Sequence, residues 1–273
     1  MSCRPIGLFD SGVGGLSVLR ELSRQLPQEN VIYFADTFHM PYGPRSAAEL
    51  QKLVYAILHF LQEYNVKLVI MACNTSSALV LESARQEFPF PLVGMIQPIA
   101  KSLAASSIRR LGVLATEATV RSDKYAQEFR QAGFTGEVYS CACPALASLV
   151  EEGAGLDHLE GVLTECVAPL RQAQVESVVL GCTHYPFVAE SINRVLGGCI
   201  PLLNPASYAV AQAKSLLTAR HLLRSATSAP RETLFVSGDI LTFERRAGQL
   251  LGRQIVATQV GFSRQEGYFT HIY

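Results

Sequence analysis

The chain has 273 residues, 49% of them apolar, and its 23 basic and 23 acidic side chains cancel to a formal net charge of zero. That apolar content excludes a disordered chain, and the length suffices for one large domain or two ordinary ones with normal cores. No Lys/Arg block is longer than a pair, so no nucleic-acid or anionic-membrane surface is expected, and a small neutral or anionic substrate fits better.

The N-terminal MSCRPIGLFDSG has no basic stretch followed by a long apolar core, so no secretory leader is read there. No apolar run approaches the ~20 residues of a membrane span, and a cytoplasmic protein is expected. Strands are predicted at Ile6–Phe9 and Val31–Phe34. A helix follows over Ser46–Tyr64, with Leu50, Leu53, Val54, Ile57, Phe60 and Leu61 on one face and Ser46 with Glu49 as a capping box. Strands come next at Lys67–Ala72, Leu92–Ile96, Leu111–Ala115 and Val138–Cys141, with Gly133 ending the helix before the last of these. Two more are predicted at Val178–Gly181 and Ile200–Leu203. The tail reads as a helix from Ala206, a polar stretch from Ser225, a strand at Leu234–Val236 and a helix opened by Asp239. Several strands are apolar throughout, as parallel strands covered on both faces are. The alternation argues for an α/β fold with mainly parallel sheets.

The chain also repeats itself. VKLVIMACNT (Val66–Thr75) and VESVVLGCTH (Val175–His184) share one layout: a buried strand, a small residue, a cysteine, polar residues and a helix. PIGLFDSG (Pro5–Gly12) and RLGVLATE (Arg110–Glu117) match upstream. Two similar parallel-sheet α/β domains related by pseudo-two-fold duplication are therefore expected. They are residues 1–97 plus the returning segment 208–273, and residues 98–207.

Ligands of open α/β sheets bind beyond the carboxyl ends of the strands, and Cys73 and Cys182 both stand at such ends, before a helix start. A helix N-terminus lowers a thiol pKa and offers N–H groups to a carboxylate. Two thiols at equivalent places suit a two-base exchange, in which one takes a proton from one face of a carbon and the other returns a proton to the opposite face. Asp10, at the end of the first strand, is placed to help the thiol or a substrate ammonium. His184, two residues after Cys182, is placed to exchange a proton with it, and Glu151 is a candidate to orient His184. Gly12, Gly14 and Gly15 do not form GxGxxG and read as a tight turn whose N–H groups approach a ligand. Cys3, Cys141, Cys143, Cys166 and Cys199 read as structural; seven scattered cysteines are no disulfide framework, and the C-x-C at Cys141 lacks the partners of a zinc site. No lysine stands where a Schiff-base cofactor would need one. Neither cofactor nor metal is expected.

At these residues the sequence resembles the glutamate racemases of the aspartate/glutamate racemase superfamily. The matching pieces are FDSGVGGLSVL (Phe9–Leu19), MPYGPR (Met40–Arg45), ACNTSSA (Ala72–Ala78), GMIQP (Gly94–Pro98), LVEEG (Leu149–Gly153) and LGCTHYP (Leu180–Pro186). The resemblance implies the duplicated α/β fold with the active site between its two domains, cofactor-free interconversion of L- and D-glutamate, a D-glutamate product used in peptidoglycan synthesis, and a homodimer. It implies Cys73 and Cys182 as proton acceptor and donor, assisted by Asp10, His184 and Glu151. It also implies a substrate site lined by Asp10, Ser11, Tyr42, Gly43, Asn74, Thr75, Thr119, Thr183 and His184. The sequence departs from the pattern at Ala35, His39, Gln97 and Asn204–Pro205. Aspartate racemisation differs by one methylene of substrate and is the alternative reading; a non-catalytic regulatory protein is the reading outside the enzymes.

Overall fold

The computed structural model describes residues 3–225, 228–263 and 267–271, so two residues of the polar run from Ser225 lie outside it. The first half runs β1 (Ile6–Asp10), α1 (Leu16–Gln25), β2 (Val31–Ala35), α2 (Ala47–Glu63), β3 (Leu68–Met71), α3 (Asn74–Leu79), α4 (Leu81–Glu87) and β4 (Leu92–Val93). Next come α5 (Ile96–Leu103), β5 (Arg110–Ala115), α6 (Glu117–Arg121), α7 (Lys124–Gln131), β6 (Glu137–Ala142), α8 (Leu146–Glu152) and α9 (Leu156–Gln172). β7 (Ser177–Gly181), a 3-10 turn at Tyr185–Val188, α10 (Ala189–Val195) and β8 (Leu202–Leu203) follow. The tail holds α11 (Pro205–Ala219), β9 (Glu232–Val236), α12 (Ile240–Leu251), β10 (Thr258–Ser263) and β11 (Tyr268–His271).

Two sheets result, ordered β11-β10-β9-β2-β1-β3-β4 and β6-β5-β7-β8. Every neighbouring pair is parallel except β10 and β11. The run β2-β1-β3-β4 has the same order as β6-β5-β7-β8, so the self-similarity of the sequence reappears as topology. In each, the chain leaves the first strand for a neighbour on one side and returns on the other. A crevice therefore opens at the carboxyl ends between β1 and β3, and again between β5 and β7.

Both faces of each sheet are covered at its centre, which is why β1, β2, β3 and β7 are buried at every residue. Ile6 and Leu8 of β1 and Leu68 and Ile70 of β3 pack beneath α1 and α11. Phe9, Val69 and Met71 point to the opposite face, against α2. In the second sheet Val178 and Leu180 face α8 and α9, while Leu111, Val113 and Val179 face α5 and α7. Ser46 caps α2 as a capping box with Glu49, and Gly133 turns the chain after α7 at φ +92°. Among the described residues, no helix is long and apolar enough to cross a membrane.

Four elements differ from expectation. The strand predicted at Leu92–Ile96 is only Leu92–Val93, because the chain bends at Gly94. A Cβ there would lie 2.5 Å from Leu81 Cδ2. Ser77 Oγ accepts from Met95 N at 3.2 Å and starts α5 at Ile96. The strand predicted at Ile200–Leu203 starts later, at Leu202, after Pro201. β10 and β11 were not predicted; they extend the first sheet beyond β9, with Phe269 buried against Phe34. Cys143 and Cys166, expected as separate thiols, pair as a disulfide with Cα atoms 5.3 Å apart. The packing of α9 on β6 brings them together, and no spacing rule anticipates it.

Candidate active site

The two crevices face each other around one cavity of about 180 Å³. From the first half it is lined by Ser11 after β1, by Tyr42 and Gly43 of the loop after β2, and by Cys73, Asn74 and Thr75 after β3. From the second it is lined by Thr116 and Glu117 after β5, Pro144, Ala147 and Ser148 after β6, and Cys182, Thr183 and His184 after β7. The predicted thiols thus share one enclosed space.

On the Cys182 side a chain of contacts runs inward. Cys182 Sγ lies 3.5 Å from His184 Nδ1, and His184 Nε2 lies 2.6 Å from Glu151 Oε1 on α8. The same carboxylate oxygen accepts from Val13 N at 2.8 Å, so the first half fixes the orienting group of the second. Burial works against a charged imidazole, but the hydrogen bonds to Cys182 and Glu151 outweigh it. The His184 pKa is held well above the ordinary histidine value, and the ring keeps a proton within reach of the Cys182 sulfur.

On the other side Cys73 precedes the first residue of α3 and is 5% exposed. A thiol pKa lowered by a helix N-terminus is the sequence expectation, and the structure reverses it for this residue. Burial, then neighbouring Asp10, pushes the Cys73 thiol up to about 12, and the nearby N–H and hydroxyl of Ser76 offset this only in part. A helix of six residues offers too small a field to balance near-complete desolvation. Cys182 does not stand directly at an α-helix either: the 3-10 turn at Tyr185–Val188 separates it from α10.

Asp10 lies behind this wall, fully buried. Its Oδ2 accepts from Gly15 N at 2.9 Å and Gly12 N at 3.3 Å, and Thr183 Oγ1 donates to Oδ1 at 3.3 Å. Burial raises its pKa, opposed by His184. The expected ligand-facing role of the DSGVGG amides is therefore corrected: those of Gly12, Val13 and Gly15 are engaged by the protein's own carboxylates. The glycines are needed for close approach instead. A Cβ on Gly12 would fall 2.2 Å from Glu151 Oε1, and one on Gly14 would fall 2.4 Å from Thr183 Oγ1.

Of the residues singled out from sequence, Ser11, Tyr42, Gly43, Cys73, Asn74, Thr75, Cys182, Thr183 and His184 line the cavity. Asp10, Glu151 and Thr119 stand one layer back. Thr119 Oγ1 lies 3.3 Å from Thr75 and 2.9 Å from Thr116, a cavity-lining residue directly after β5 that was not among the residues expected at the site. The wall formed by Pro144, Ala147 and Ser148 was also missed, since those residue types carry no chemical signal. His39, one of the departures, is accommodated by Asp36: its Nδ1 lies 2.9 Å from Asp36 Oδ1, and Asp36 Oδ2 also accepts from Tyr42 OH at 2.5 Å. Among the described residues, no group of three or more His, Cys, Asp or Glu is arranged to hold a metal ion.

The family model for Asp/Glu/hydantoin racemases matches residues 6–213. A curated glutamate racemase of Microcystis aeruginosa is 43% identical over 250 residues, spanning 91% of this chain and 88% of that protein. Among solved structures, the fold is similar to a glutamate racemase isoform of Bacillus anthracis, with TM-score 0.88, 32% identity and coverage of 94% and 97% of the two chains. It is equally similar to the glutamate racemase of Francisella tularensis in complex with D-glutamate, with TM-score 0.87, 34% identity and coverage of 96% and 98%.

Proposed function

This chain belongs to the Asp/Glu/hydantoin racemase family, and on that premise we propose that it interconverts L- and D-glutamate by proton exchange between Cys73 and Cys182. The observation that carries the reading is that two cysteines from matching strand ends, after β3 and after β7, line one closed cavity. One sulfur, as thiolate, takes the Cα proton and becomes a thiol. The electron pair left on Cα then takes a proton from the thiol on the opposite face, which becomes the thiolate. The reverse reaction exchanges the two roles.

The Cα proton of an amino acid is very weakly acidic, so the site must hold the substrate rigidly and exclude water. Asn74, Thr75, Thr183 and Ser11 supply polar groups for the carboxylates, and Tyr42 and Gly43 close one side. His184, oriented by Glu151, exchanges a proton with Cys182. Asp10, close to both Cys73 and Thr183, balances the substrate ammonium. An incoming ammonium also offsets the desolvation that raises the Cys73 pKa. In this reading residues 1–97 with 208–273 form one domain and 98–207 the other, the protein works in the cytoplasm as a homodimer, and its D-glutamate feeds peptidoglycan synthesis.

The test is made in heavy water with protein free of added cofactor. L- or D-glutamate is supplied, and Cα deuterium is followed together with optical rotation. Racemisation with deuterium entering the product, abolished in both Cys73→Ser and Cys182→Ser, is the expected result. Racemisation that survives loss of either thiol overturns the two-base reading, whereas the remaining thiolate can still exchange the Cα proton of one enantiomer with retention. Faster turnover of aspartate overturns the substrate.

A further inference from the structure

Asn74 follows Cys73, opens α3 and lines the cavity. Its amide has two unlike ends, and the structure treats them differently. Oδ1 accepts a hydrogen bond from the phenol of Tyr125 at 2.7 Å. Nδ2 is buried with no hydrogen-bond partner among the described residues. A buried amide nitrogen left in that condition is unfavourable and calls for an explanation, of which a ligand is one.

Tyr125 belongs to α7, on the other sheet from α3, so this hydrogen bond crosses between the halves. The ring is held by burial, by stacking on Phe129 at 6.4 Å, and by contact beside Gly181, where a Cβ would lie 3.3 Å from Tyr125 Cε2. Its hydroxyl has Asn74 Oδ1 as its only hydrogen-bond partner among the described residues. Burial raises the phenol pKa, so the oxygen keeps its proton and remains a donor. A donor fixed there selects one amide orientation, because the flipped amide would leave the phenol proton unmatched and turn a carbonyl oxygen toward an anionic ligand.

We propose that Tyr125 is a positioning residue for substrate: by tying down Asn74 Oδ1 it reserves Asn74 Nδ2 as the donor to a substrate carboxylate. The inference rests on the functional reading only in requiring a ligand that carries a carboxylate. It adds to that reading a determinant outside the cavity wall, contributed by the opposite half of the molecule.

The experiment compares the unaltered protein with Tyr125→Phe, Asn74→Ala and the double variant. Glutamate binding is measured by calorimetry, alongside KM and kcat. Tyr125→Phe keeps the ring and removes only the hydroxyl. The expected result is binding about tenfold weaker, with KM rising in step and kcat within about twofold, as for loss of one hydrogen bond to a charged ligand. In the Asn74→Ala background the same change is expected to add nothing, because Tyr125 acts through Asn74. Asn74→Asp keeps the acceptor for Tyr125 but puts an anion where the donor stood, and binding is expected to fall about a hundredfold.

Unchanged binding in Tyr125→Phe, or an equal added loss in the Asn74→Ala background, overturns the proposal. If Tyr125→Phe does not fold, the side-chain amide resonance of Asn74 in the unaltered protein decides: glutamate is expected to move it, and a resonance unmoved at saturation overturns the proposal. Binding without racemisation would overturn the proposed activity while these comparisons still decide the role of Tyr125. No binding of glutamate at all overturns both.

Discussion

His184 is favoured as its charged form in a place that resists charge. Burial alone would lower its pKa, yet its contacts with Cys182 and Glu151 raise it. The sign for stability follows from that: this interaction favours the folded state below the ordinary histidine value and is lost as pH rises through the raised one. For catalysis, a protonated imidazole beside Cys182 is depleted at high pH, so kcat/KM falls on the alkaline side of a bell-shaped profile. Glu151→Gln removes one of the raising influences. The alkaline limb is therefore expected at lower pH in Glu151→Gln than in the unaltered protein, measured separately from L- and D-glutamate. A limb that stays in place in both directions would remove His184 from the proton relay. Sequence alone brought Cys182 and His184 together, since they are two residues apart. It left Glu151 unplaced, because 33 residues separate it from His184 and only the docking of α8 closes that gap.

At the scale of elements, the loop between β1 and α1 is the joint between the two halves. Its glycines admit Glu151, Thr183 and His184 from the other side, while Ser17 Oγ donates to Thr183 O at 2.8 Å and Tyr33 OH donates to Gly12 O at 2.6 Å. Gly14→Ala would put a methyl 2.4 Å from Thr183 Oγ1 and 2.6 Å from His184 Nδ1. The protein has to shift there, at a stability cost of ~1–3 kcal/mol. Because the shift displaces the group beside Cys182, kcat/KM is expected to fall about a hundredfold. Steady-state kinetics with a thermal melt separates the two effects; full activity in Gly14→Ala would show that the halves tolerate separation at this joint. The glycines were legible as a tight turn, but not the face they serve. A glycine in a sequence marks where a side chain is not allowed without naming the neighbour that forbids it.

At the scale of the whole molecule, the tail completes the first sheet and reaches the site. β9 lies beside β2, and Arg246 of α12 donates to the carbonyl of Val150 on α8, one residue before Glu151. β11 closes the edge, with the Phe269 ring 4.8 Å from Phe34 and 5.0 Å from Phe262. Phe269→Ala opens a cavity in that aromatic cluster and is expected to cost ~3–5 kcal/mol, read as a lowered denaturant midpoint with kcat/KM of the folded protein unchanged. A cost below ~1 kcal/mol would mean that this strand is not part of the cooperative core.

Local pattern determined much of this protein. Continuous apolar runs marked the buried parallel strands, because strands covered on both faces leave no polar positions. The repeat around Cys73 and Cys182 marked two like halves, since one strand–loop–helix pattern builds one local structure wherever it occurs. Tertiary structure decided what depends on distance and dielectric. β10 and β11 escaped because TQVGFS and YFTH are short and mixed, and become strands only against an existing sheet edge. The Cys143–Cys166 pairing depended on a helix packing across a strand. The direction of the Cys73 shift turned on how completely the folded chain removes water from the thiol, a property of the closed cavity that no run of neighbouring residues encodes.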